Sequence, residues 1–381
     1  MLTEEQRSIQ ATARAFAERE IEPYAAQWDR DDGAPREIYR ALGEVGLMGV
    51  CVPPEYGGAG ADFVSYVLAM EEIAAADCGV ANMMAASNSP VAAAIVKHGT
   101  PAQKERFLKP MARGELLAGF ALSEAEAGSD AASLRSQAVR DGKDWVLNGT
   151  KAWATNAGTA DLMMIMVRTD QASARRGAKG ISTFIVPTDT PGYKACKPED
   201  KMGLRASNTA AVELNDLRLP ADQMLGEEGM GFVYAMEGLD AGRLGIGAQG
   251  VGIARRALEH AVRYCAERQQ FGQPIQEFQG VQFKLADMAT RIEAARALTH
   301  RAAIRKDSGE EIGMYASMAK LFASETAMWV TTQAIQLFGG YGYMRDFPVE
   351  KLFRDAKVTE IYEGTSEIQR VVIARALRPH D

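Results

Sequence analysis

The sequence has few of the residues that build metal sites or disulfide frameworks. It contains four cysteines and four histidines in 381 residues, and they are widely separated. No CxxC pair and no HExxH spacing occurs, so the patterns of zinc ribbons, thioredoxin-like redox sites and helical zinc sites are missing. We therefore predict no structural metal, and we expect all four cysteines to be reduced thiols.

Long apolar runs and an excess of positive charge are also missing. No stretch approaches the length of a membrane-spanning helix, and charged residues interrupt the first 20 positions in a way that does not fit a signal peptide. The formal net charge of -7 disfavours nucleic acid and anionic membranes as main partners. With 47% hydrophobic residues, the chain is typical of a large enzyme of two or three domains, which we expect in the cytoplasm.

Hydrophobic spacing divides the chain into three regions and predicts an α+β multidomain fold. Residues 1–114 open with a capping box at Thr3 and show helical spacing, which predicts an N-terminal α-helical domain. Residues 115–226 contain short β-like runs separated by turn residues, which predicts a middle β-domain of barrel or sandwich type, with a hairpin at Asn148-Gly149. Long helical patterns over 227–381 predict a C-terminal α-helical domain.

A corner near the end of the chain holds a candidate catalytic residue. Gly364 and Thr365 interrupt two predicted helices, so Glu363 is expected just before a helix N-terminus, with Thr365 or Ser366 as the N-cap. One hypothesis is a solvated carboxylate that only supports the helix dipole. The other is a general base with a raised pKa, because the neighbouring isoleucine and Tyr362 would shield the carboxylate from water.

The segment Gly245-Ile-Gly247-Ala-Gln-Gly250 matches the G-x-G-x-x-G dinucleotide fingerprint. That fingerprint requires a preceding strand and glycines that open a helix. These glycines instead lie inside a long helical pattern. We therefore interpret them as small residues that let helices pack closely, and not as a nicotinamide site.

Two polar segments of the β-region are candidates for cofactor binding. Residues 120–130 lead from a predicted strand into a loop whose N–H groups and hydroxyls, including Ser123 and Ser129, suit a polar ring or a phosphate. An ordinary serine-capped turn is the alternative. Trp153 and Thr155 place an aromatic face and a hydroxyl on one strand, which suits a planar cofactor.

Six ordered blocks of the sequence together resemble the acyl-CoA dehydrogenase family. They are VPPEYGG at 52–58, FALSEAEAGSD at 120–130, GTKAWATN at 149–156, RQQFGQP at 268–274, QLFGG at 336–340 and IYEGT at 361–365. The predicted α, β, α order agrees, so the resemblance covers nearly the entire chain. It implies a C-terminal four-helix bundle, a homotetramer, bound FAD, an acyl-CoA substrate and an electron-transfer flavoprotein as electron acceptor.

The resemblance also implies a reaction and the residues that carry it. Glu363 would remove the pro-R α-proton of the acyl-CoA thioester, and the β-hydrogen would leave as hydride to flavin N5, giving the trans-2-enoyl-CoA. The Glu363 backbone N–H, with an FAD ribityl hydroxyl, would hold the thioester oxygen, where negative charge develops.

Further contacts follow from the same resemblance. The FAD would be bound by Leu122, Ser123, Trp153, Thr155, Arg268, Phe271, Gln336, Gly340, Thr365 and Glu367, with Arg268, Phe271, Gln336 and Gly340 reaching the FAD of a neighbouring subunit. The acyl-CoA would be bound by Ser129, Asp240, Arg243, Tyr362 and Gly364.

Two positions depart from patterns found in the family. Ala125 stands where the family usually has proline, in the loop after Ser123. Gly242 occupies the place where some branches carry the catalytic glutamate, which leaves Glu363 as the only carboxylate in a catalytic motif position. The surroundings of Gly242 resemble the short-chain, butyryl-type branch, so we expect a short straight or singly branched acyl group.

Simpler roles and two other functions stay open at this level. Arg268 would serve equally as a surface cation, Trp153 as a core aromatic, and Asp240 with Arg243 as an ion pair on a helix surface. The whole protein could also be an acyl-CoA oxidase, whose flavin is reoxidised by oxygen. A flavoprotein relative that binds nucleic acid or a partner protein, with little turnover, is the other alternative.

Overall fold

A computed structural model describes residues 2–170 and 177–378, and its first region is helical, as predicted. The π-helical segments Ala17–Ile21, Ser87–Ala92 and Lys104–Leu108 extend or join several of the α-helices. The α-helices are α1 (Glu4–Phe16), α2 (Ala25–Asp31), α3 (Glu37–Glu44), α4 (Phe63–Ala76), α5 (Cys78–Ala86), α6 (Ala93–His98), α7 (Pro101–Gln103) and α8 (Lys109–Ala112).

The first helix begins at the predicted capping box. The Thr3 hydroxyl accepts from the Gln6 N–H at 3.1 Å, and the Gln6 side chain accepts from the Thr3 N–H at 2.9 Å. Helix α4 is different, because it is apolar on nearly all sides and almost every residue is buried. It packs between α1 and the long helices of the C-terminal region, as a helix without a polar face must.

The middle region is a β-domain, as predicted. Its strands are β1 (Ala118–Ala121), β2 (Gln137–Asp141), β3 (Asp144–Thr155), β4 (Leu162–Arg168), β5 (Ile181–Pro187), β6 (Tyr193–Pro198), β7 (Thr209–Pro220) and β8 (Met224–Leu225). The main order is β6-β7-β3-β1-β4-β5-β8, with β1 and β4 parallel. Strand β2 pairs with both β3 and β4, so strands β1 to β4 close on themselves in the manner of a small barrel.

The hairpin predicted at Asn148-Gly149 is wrong. Strand β3 continues through both residues, with a register shift against β7, and the turn into β3 lies at Asp141–Asp144 instead. The Asn148 side chain donates to the Asp216 carboxylate at 3.0 Å and accepts from the Asp216 N–H at 2.9 Å. A Cβ on Gly149 would lie 2.3 Å from Ser136 Oγ. The glycine therefore permits close approach at a bulge and does not form a turn.

The C-terminal region is again helical. It comprises α9 (Gly231–Glu267), the short hairpin of β9 (Gln269–Gln270) and β10 (Gln273–Pro274), α10 (Gln279–Asp307), α11 (Gly313–Phe338), α12 (Pro348–Thr359) and α13 (Ser366–Ala376). Helices α9, α10 and α11 pack together, and α12 lies against α9 and α11. Within residues 2–170 and 177–378, no helix combines the length and apolar character needed to cross a membrane.

The glycines of the G-x-G-x-x-G segment lie inside α9 and serve helix packing, which confirms their interpretation. A Cβ on Gly245 would lie 2.9 Å from the Tyr66 hydroxyl, and one on Gly250 would lie 3.0 Å from the Ala323 carbonyl oxygen. Both distances are shorter than a normal carbon contact. Alanine at position 245 would therefore require the Tyr66 side chain to shift, and alanine at position 250 would require the backbone of α11 at Ala323 to give way.

Helix α12 joins all three regions through one lysine that is paired with two buried carboxylates. Lys351 Nζ lies 2.9 Å from Asp77 Oδ2 and 2.6 Å from Asp355 Oδ2. Asp77 caps α5 in the N-terminal region, while Asp355 accepts the Leu204 N–H of the β-domain at 2.6 Å. Burial opposes the charge on Lys351, but the two carboxylates raise its pKa above the ordinary value. The lysine is therefore a charged link at the junction.

We expect Lys351→Met to lower the stability of the whole chain. The change would leave Asp77 and Asp355 buried without their cation, which typically costs about 3 to 5 kcal/mol. The measurement is the urea midpoint of unfolding, followed by tryptophan fluorescence. Arg218→Met is the matched control, because Arg218 pairs with Asp144 at the surface and should move the midpoint much less. Equal shifts for both variants would contradict the prediction.

Candidate active site

The corner between α12 and α13 presents Glu363 in a strained backbone conformation. Glu363 has a φ of 52°, a left-handed value that costs a non-glycine residue of the order of 1–3 kcal/mol. Thr365 forms the N-cap of α13, as predicted, and its hydroxyl accepts from the Ile368 N–H at 3.4 Å. The Ser366 N–H returns to the Glu360 carbonyl at 2.9 Å. Such a corner persists only where its surroundings fix it.

Two buried side chains hold the corner in place by hydrogen bonds to its backbone carbonyls. Lys320 Nζ donates to the Gly364 carbonyl at 2.7 Å, and the Gln369 amide donates to the carbonyls of Gly364 at 2.8 Å and Glu363 at 3.2 Å. Both side chains belong to residues that are fully buried. Sequence reasoning did not select either residue. The available signal was a lysine inside the otherwise apolar helical pattern of α11, where an unpaired charge is costly.

The Glu363 carboxylate is removed from water and lies against α9. Its Oε2 atom is buried and has no hydrogen-bond partner among the described residues, and a Cβ on Gly242 would lie 2.2 Å from that atom. Burial raises the pKa of Glu363 to about 7, while the charges of Arg243 and Lys320 limit the rise. Gly242 is therefore needed to give the carboxylate its space.

Further polar groups lie near the Glu363 carboxylate. In the part of the chain that the structure describes, no acceptor pairs with the Glu363 backbone N–H. The Tyr362 hydroxyl donates to the Gln249 side chain. Arg243 donates to Asp240 at 2.5 Å. Arg243 is buried, with 6% of its surface exposed, whereas the Asp240 side chain is 35% exposed, so the pair lies at the edge of the buried space beside α9.

The β-domain contributes an exposed aromatic face. Trp153 is 57% exposed and has a φ of 54°, so it is not the core aromatic considered above. Thr155 lies two residues further along β3 and is half-buried. Leu122 is buried, Ser123 is half-buried, and Ser129 is exposed on the loop that follows β1. An exposed indole face on a structured strand is available to stack against a planar ring.

A buried ion pair fixes the loop after β1 to strand β3. Lys151 Nζ lies 2.7 Å from Glu124 Oε1 and donates to the Leu122 carbonyl at 3.2 Å. Glu124 also accepts the N–H groups of Arg135 at 2.6 Å and Ser136 at 2.9 Å. Burial alone would raise the pKa of Glu124, but Lys151 and these hydrogen bonds hold it below its ordinary value. The loop and the Trp153 strand are thus one unit.

A second candidate site lies on the C-terminal region. A cavity of about 530 Å³ is lined by residues of α9, the β9–β10 hairpin and the end of α11, including Arg268, Gly340 and Tyr341. The Arg268 guanidinium lies 5.5 Å from the centre of the Tyr341 ring. A Cβ on Gly340 would meet no atom within 4 Å. The volume suits a sizeable ligand.

The remaining predicted residues surround these two sites. Phe271 occupies the tip of the β9–β10 hairpin with 93% of its surface exposed, and Gln336 is exposed near the end of α11. Thr365 and Glu367 lie at the start of α13, beside the Glu363 corner. Sequence reasoning therefore selected residues of two separate surfaces. It did not select Lys151, Glu124, Lys320 or Gln369, which hold those surfaces in place.

Three family models match the chain in sequence order. They are acyl-CoA dehydrogenase, N-terminal domain, over residues 3–115, acyl-CoA dehydrogenase, middle domain, over residues 119–217, and acyl-CoA dehydrogenase, C-terminal domain, over residues 229–378. Together they account for most of the chain.

Individual proteins are similar over nearly their full length. The mitochondrial short-chain specific acyl-CoA dehydrogenase of Bos taurus is 47% identical over 373 residues, covering 98% of this chain and 90% of the bovine protein. Butyryl-CoA dehydrogenase from Megasphaera elsdenii has a TM-score of 0.96 at 43% identity, with 99% of both chains covered. A chain of the electron transferring flavoprotein structure from Acidaminococcus fermentans, which concerns flavin-based electron bifurcation, has a TM-score of 0.97 at 45% identity, covering 100% of this chain and 99% of that chain. The chain belongs to the acyl-CoA dehydrogenase family.

Proposed function

We propose that the protein is an FAD-dependent dehydrogenase of short-chain acyl-CoA thioesters and that Glu363 is its catalytic base. The observation that carries this proposal is the Glu363 carboxylate, whose Oε2 atom is buried without a hydrogen-bond partner among the described residues and whose pKa is raised to about 7 by burial. A general base is most effective when its pKa lies near the working pH. The named relatives that act on short-chain and butyryl substrates support the choice of substrate.

The residues around Glu363 divide the chemistry between them. The carboxylate takes the α-proton, while the unpaired Glu363 N–H donates to the thioester oxygen, where charge develops. One such donor typically contributes about 100- to 1000-fold in rate. Asp240 and Arg243 bind the CoA portion, Ser129 contacts the pantetheine arm, and Tyr362 and Gly364 line the thioester position. The 2.5 Å contact between Asp240 and Arg243 keeps the arginine in one orientation.

The residues present fit FAD. When bound, FAD supplies the acceptor for the hydride that leaves the β-carbon. Leu122, Ser123, Trp153 and Thr155 would hold the ring, and the exposed indole of Trp153 is the supporting observation. Thr365 and Glu367 would contact the adenosine half.

The second site would complete the FAD site of a neighbouring subunit. Arg268, Phe271, Gln336 and Gly340 form this contribution, and the open space at Gly340 gives room for the approach of another molecule. Phe271 and Tyr343, which are 93% and 83% exposed, are large side chains that lack cover in one chain. Such exposed aromatic residues are typical of an interface. We therefore propose a homo-oligomer, and the resemblance favours a tetramer.

The electron acceptor is proposed from similarity alone. The chain matched in the electron transferring flavoprotein structure supports an electron-transfer flavoprotein as the partner that reoxidises the flavin. The cytoplasmic location indicated by composition stays a prediction.

We expect Glu363→Gln to remove most of the dehydrogenase activity. Glutamine cannot accept the α-proton, and loss of a general base typically costs about 100- to 10,000-fold. The measurement is butyryl-CoA oxidation with an artificial electron acceptor, with the FAD content recorded in parallel. The control is Glu360→Gln, since the Glu360 carboxylate pairs with Lys357 at 2.6 Å. A Glu363→Gln enzyme with normal FAD and normal turnover would refute the assignment.

The charge of Lys320 predicts a pH dependence. In the wild type, kcat/KM should rise with pH through about 7, because the base works only when deprotonated. Lys320→Met removes a cation that lowers the pKa of Glu363, so we expect the midpoint of this rise to move upward by about 1 pH unit. Lys320→Arg keeps the charge and should move the midpoint less. Identical pH profiles for all three enzymes would show that Lys320 does not act on Glu363.

We expect Phe271→Ser to weaken FAD retention without unfolding the protomer. The side chain is almost fully exposed, so the fold of one chain does not depend on it. The proposed contact with the FAD of a neighbouring subunit, in contrast, depends on this side chain. The measurements are the FAD to protein ratio after gel filtration and the mass of the assembly. Leu377→Ser, at another exposed apolar residue, is the control, and equal FAD retention in both variants would contradict the proposal.

A further inference from the structure

We propose that Tyr66 is the wall that limits the acyl group to about the size of butyryl, by separating Glu363 from a neighbouring cavity. The inference deepens the function proposed above and rests on it. It identifies a residue that would determine the length of the acyl chain, which the catalytic motif does not indicate.

Helix α9 places Glu363 and Tyr66 side by side. Gly242 and Gly245 are three residues apart, so they lie on one face of the helix. A Cβ on Gly242 would lie 2.2 Å from Glu363 Oε2, and one on Gly245 would lie 2.9 Å from the Tyr66 hydroxyl. The carboxylate and the hydroxyl therefore contact α9 at points separated by about 4.5 Å along its axis. An acyl chain that starts at Glu363 and follows this face meets Tyr66 after a few carbon atoms.

Tyr66 also lines a cavity. Its volume is about 180 Å³, and its walls include Tyr66, Phe63, Ser89, Ala92 and, as the charged group, Lys306. Glu363 and the two glycines of α9 are not part of its lining. Tyr66 therefore belongs to both spaces and separates them. A protein cavity of ~150 Å³ accommodates benzene, so this space has room for a chain segment of about six carbons.

The wall is rigid for reasons of packing. Tyr66 is 1% exposed, and its ring centre lies 4.9 Å from that of Phe63 in a tilted arrangement. The first turn of α4 is anchored to α10, because the N–H groups of Phe63 and Val64 donate to the Asp307 carboxylate at 2.8 and 3.1 Å. The Tyr66 hydroxyl makes no hydrogen bond of normal geometry to the described residues. The ring, and not the hydroxyl, should therefore set the limit.

The test compares chain-length profiles of FAD-loaded enzymes. We would measure kcat/KM for butyryl-, hexanoyl- and octanoyl-CoA, and separately the calorimetric binding of trans-2-butenoyl- and trans-2-octenoyl-CoA, which needs no turnover. We expect the wild type and Tyr66→Phe to prefer the four-carbon ligands. In Tyr66→Ala, the ratio of octanoyl to butyryl should rise by ~10-fold or more in both measurements, since single methylene groups in apolar pockets discriminate on this scale. Tyr66→Leu is a smaller core change that should show the same direction.

A second substitution tests whether the cavity receives the longer chain. Ala92 also lines the cavity, and Ala92→Leu would fill part of it, so Tyr66→Ala combined with Ala92→Leu should lose the gain seen with Tyr66→Ala. The inference is overturned if Tyr66→Ala or Tyr66→Leu keeps its FAD and its butyryl activity while both ratios stay at the wild-type values. It is also overturned if the gain persists with Ala92→Leu. A wild type that holds FAD and oxidises none of the three thioesters would instead overturn the proposed function.

Discussion

The architecture of the catalytic region depends on keeping one carboxylate out of water. Burying the Glu363 carboxylate without a direct hydrogen bond to Oε2 is unfavourable, and its pKa of about 7 reflects that cost. Two cations moderate it, Arg243 from α9 and Lys320 from α11. Gly242 leaves the space that the carboxylate occupies. All three residues therefore act on the environment of Glu363.

Buried charges also hold the surrounding elements in place. Lys351 connects α12 with α5 and the β-domain through Asp77 and Asp355. Lys151 and Glu124 fix the loop after β1 to the strand that carries Trp153. In both cases a lysine is paired with carboxylates away from water, so removal of one partner would leave an uncompensated charge. These pairs therefore give the two halves of the site a defined relative position.

Helix α9 has a second role, because its glycines leave space for side chains from other parts of the chain. Its glycines admit the Glu363 carboxylate at one level and the Tyr66 hydroxyl at the next. Gly245 belongs to the segment that imitates a dinucleotide fingerprint in the sequence, and this segment is a consequence of close helix packing. Together with Gly242, which lies three residues earlier and outside that segment, it brings the proposed base and the proposed length limit to one helix face, so reaction and chain length would be controlled by neighbouring residues.

Local pattern was sufficient for the order of the three regions and for the break at Gly364-Thr365, because each depends on nearby residues. It failed at Asn148-Gly149, where the partner Asp216 lies 68 positions away and turns an apparent hairpin into a bulge. The family followed from six ordered blocks, and Glu363 was selected from its motif.

The supporting residues could not be found in this way. Lys320, Gln369 and Tyr66 carry no motif. The roles of Lys320 and Tyr66 arise from contacts with residues far away in sequence, and the role of Gln369 depends on how the chain folds back at the corner. The sequence by itself determined the fold class, the family and the candidate base. Only the tertiary structure decided what surrounds that base, because burial, charge pairing and the space between helices are properties of the packed chain.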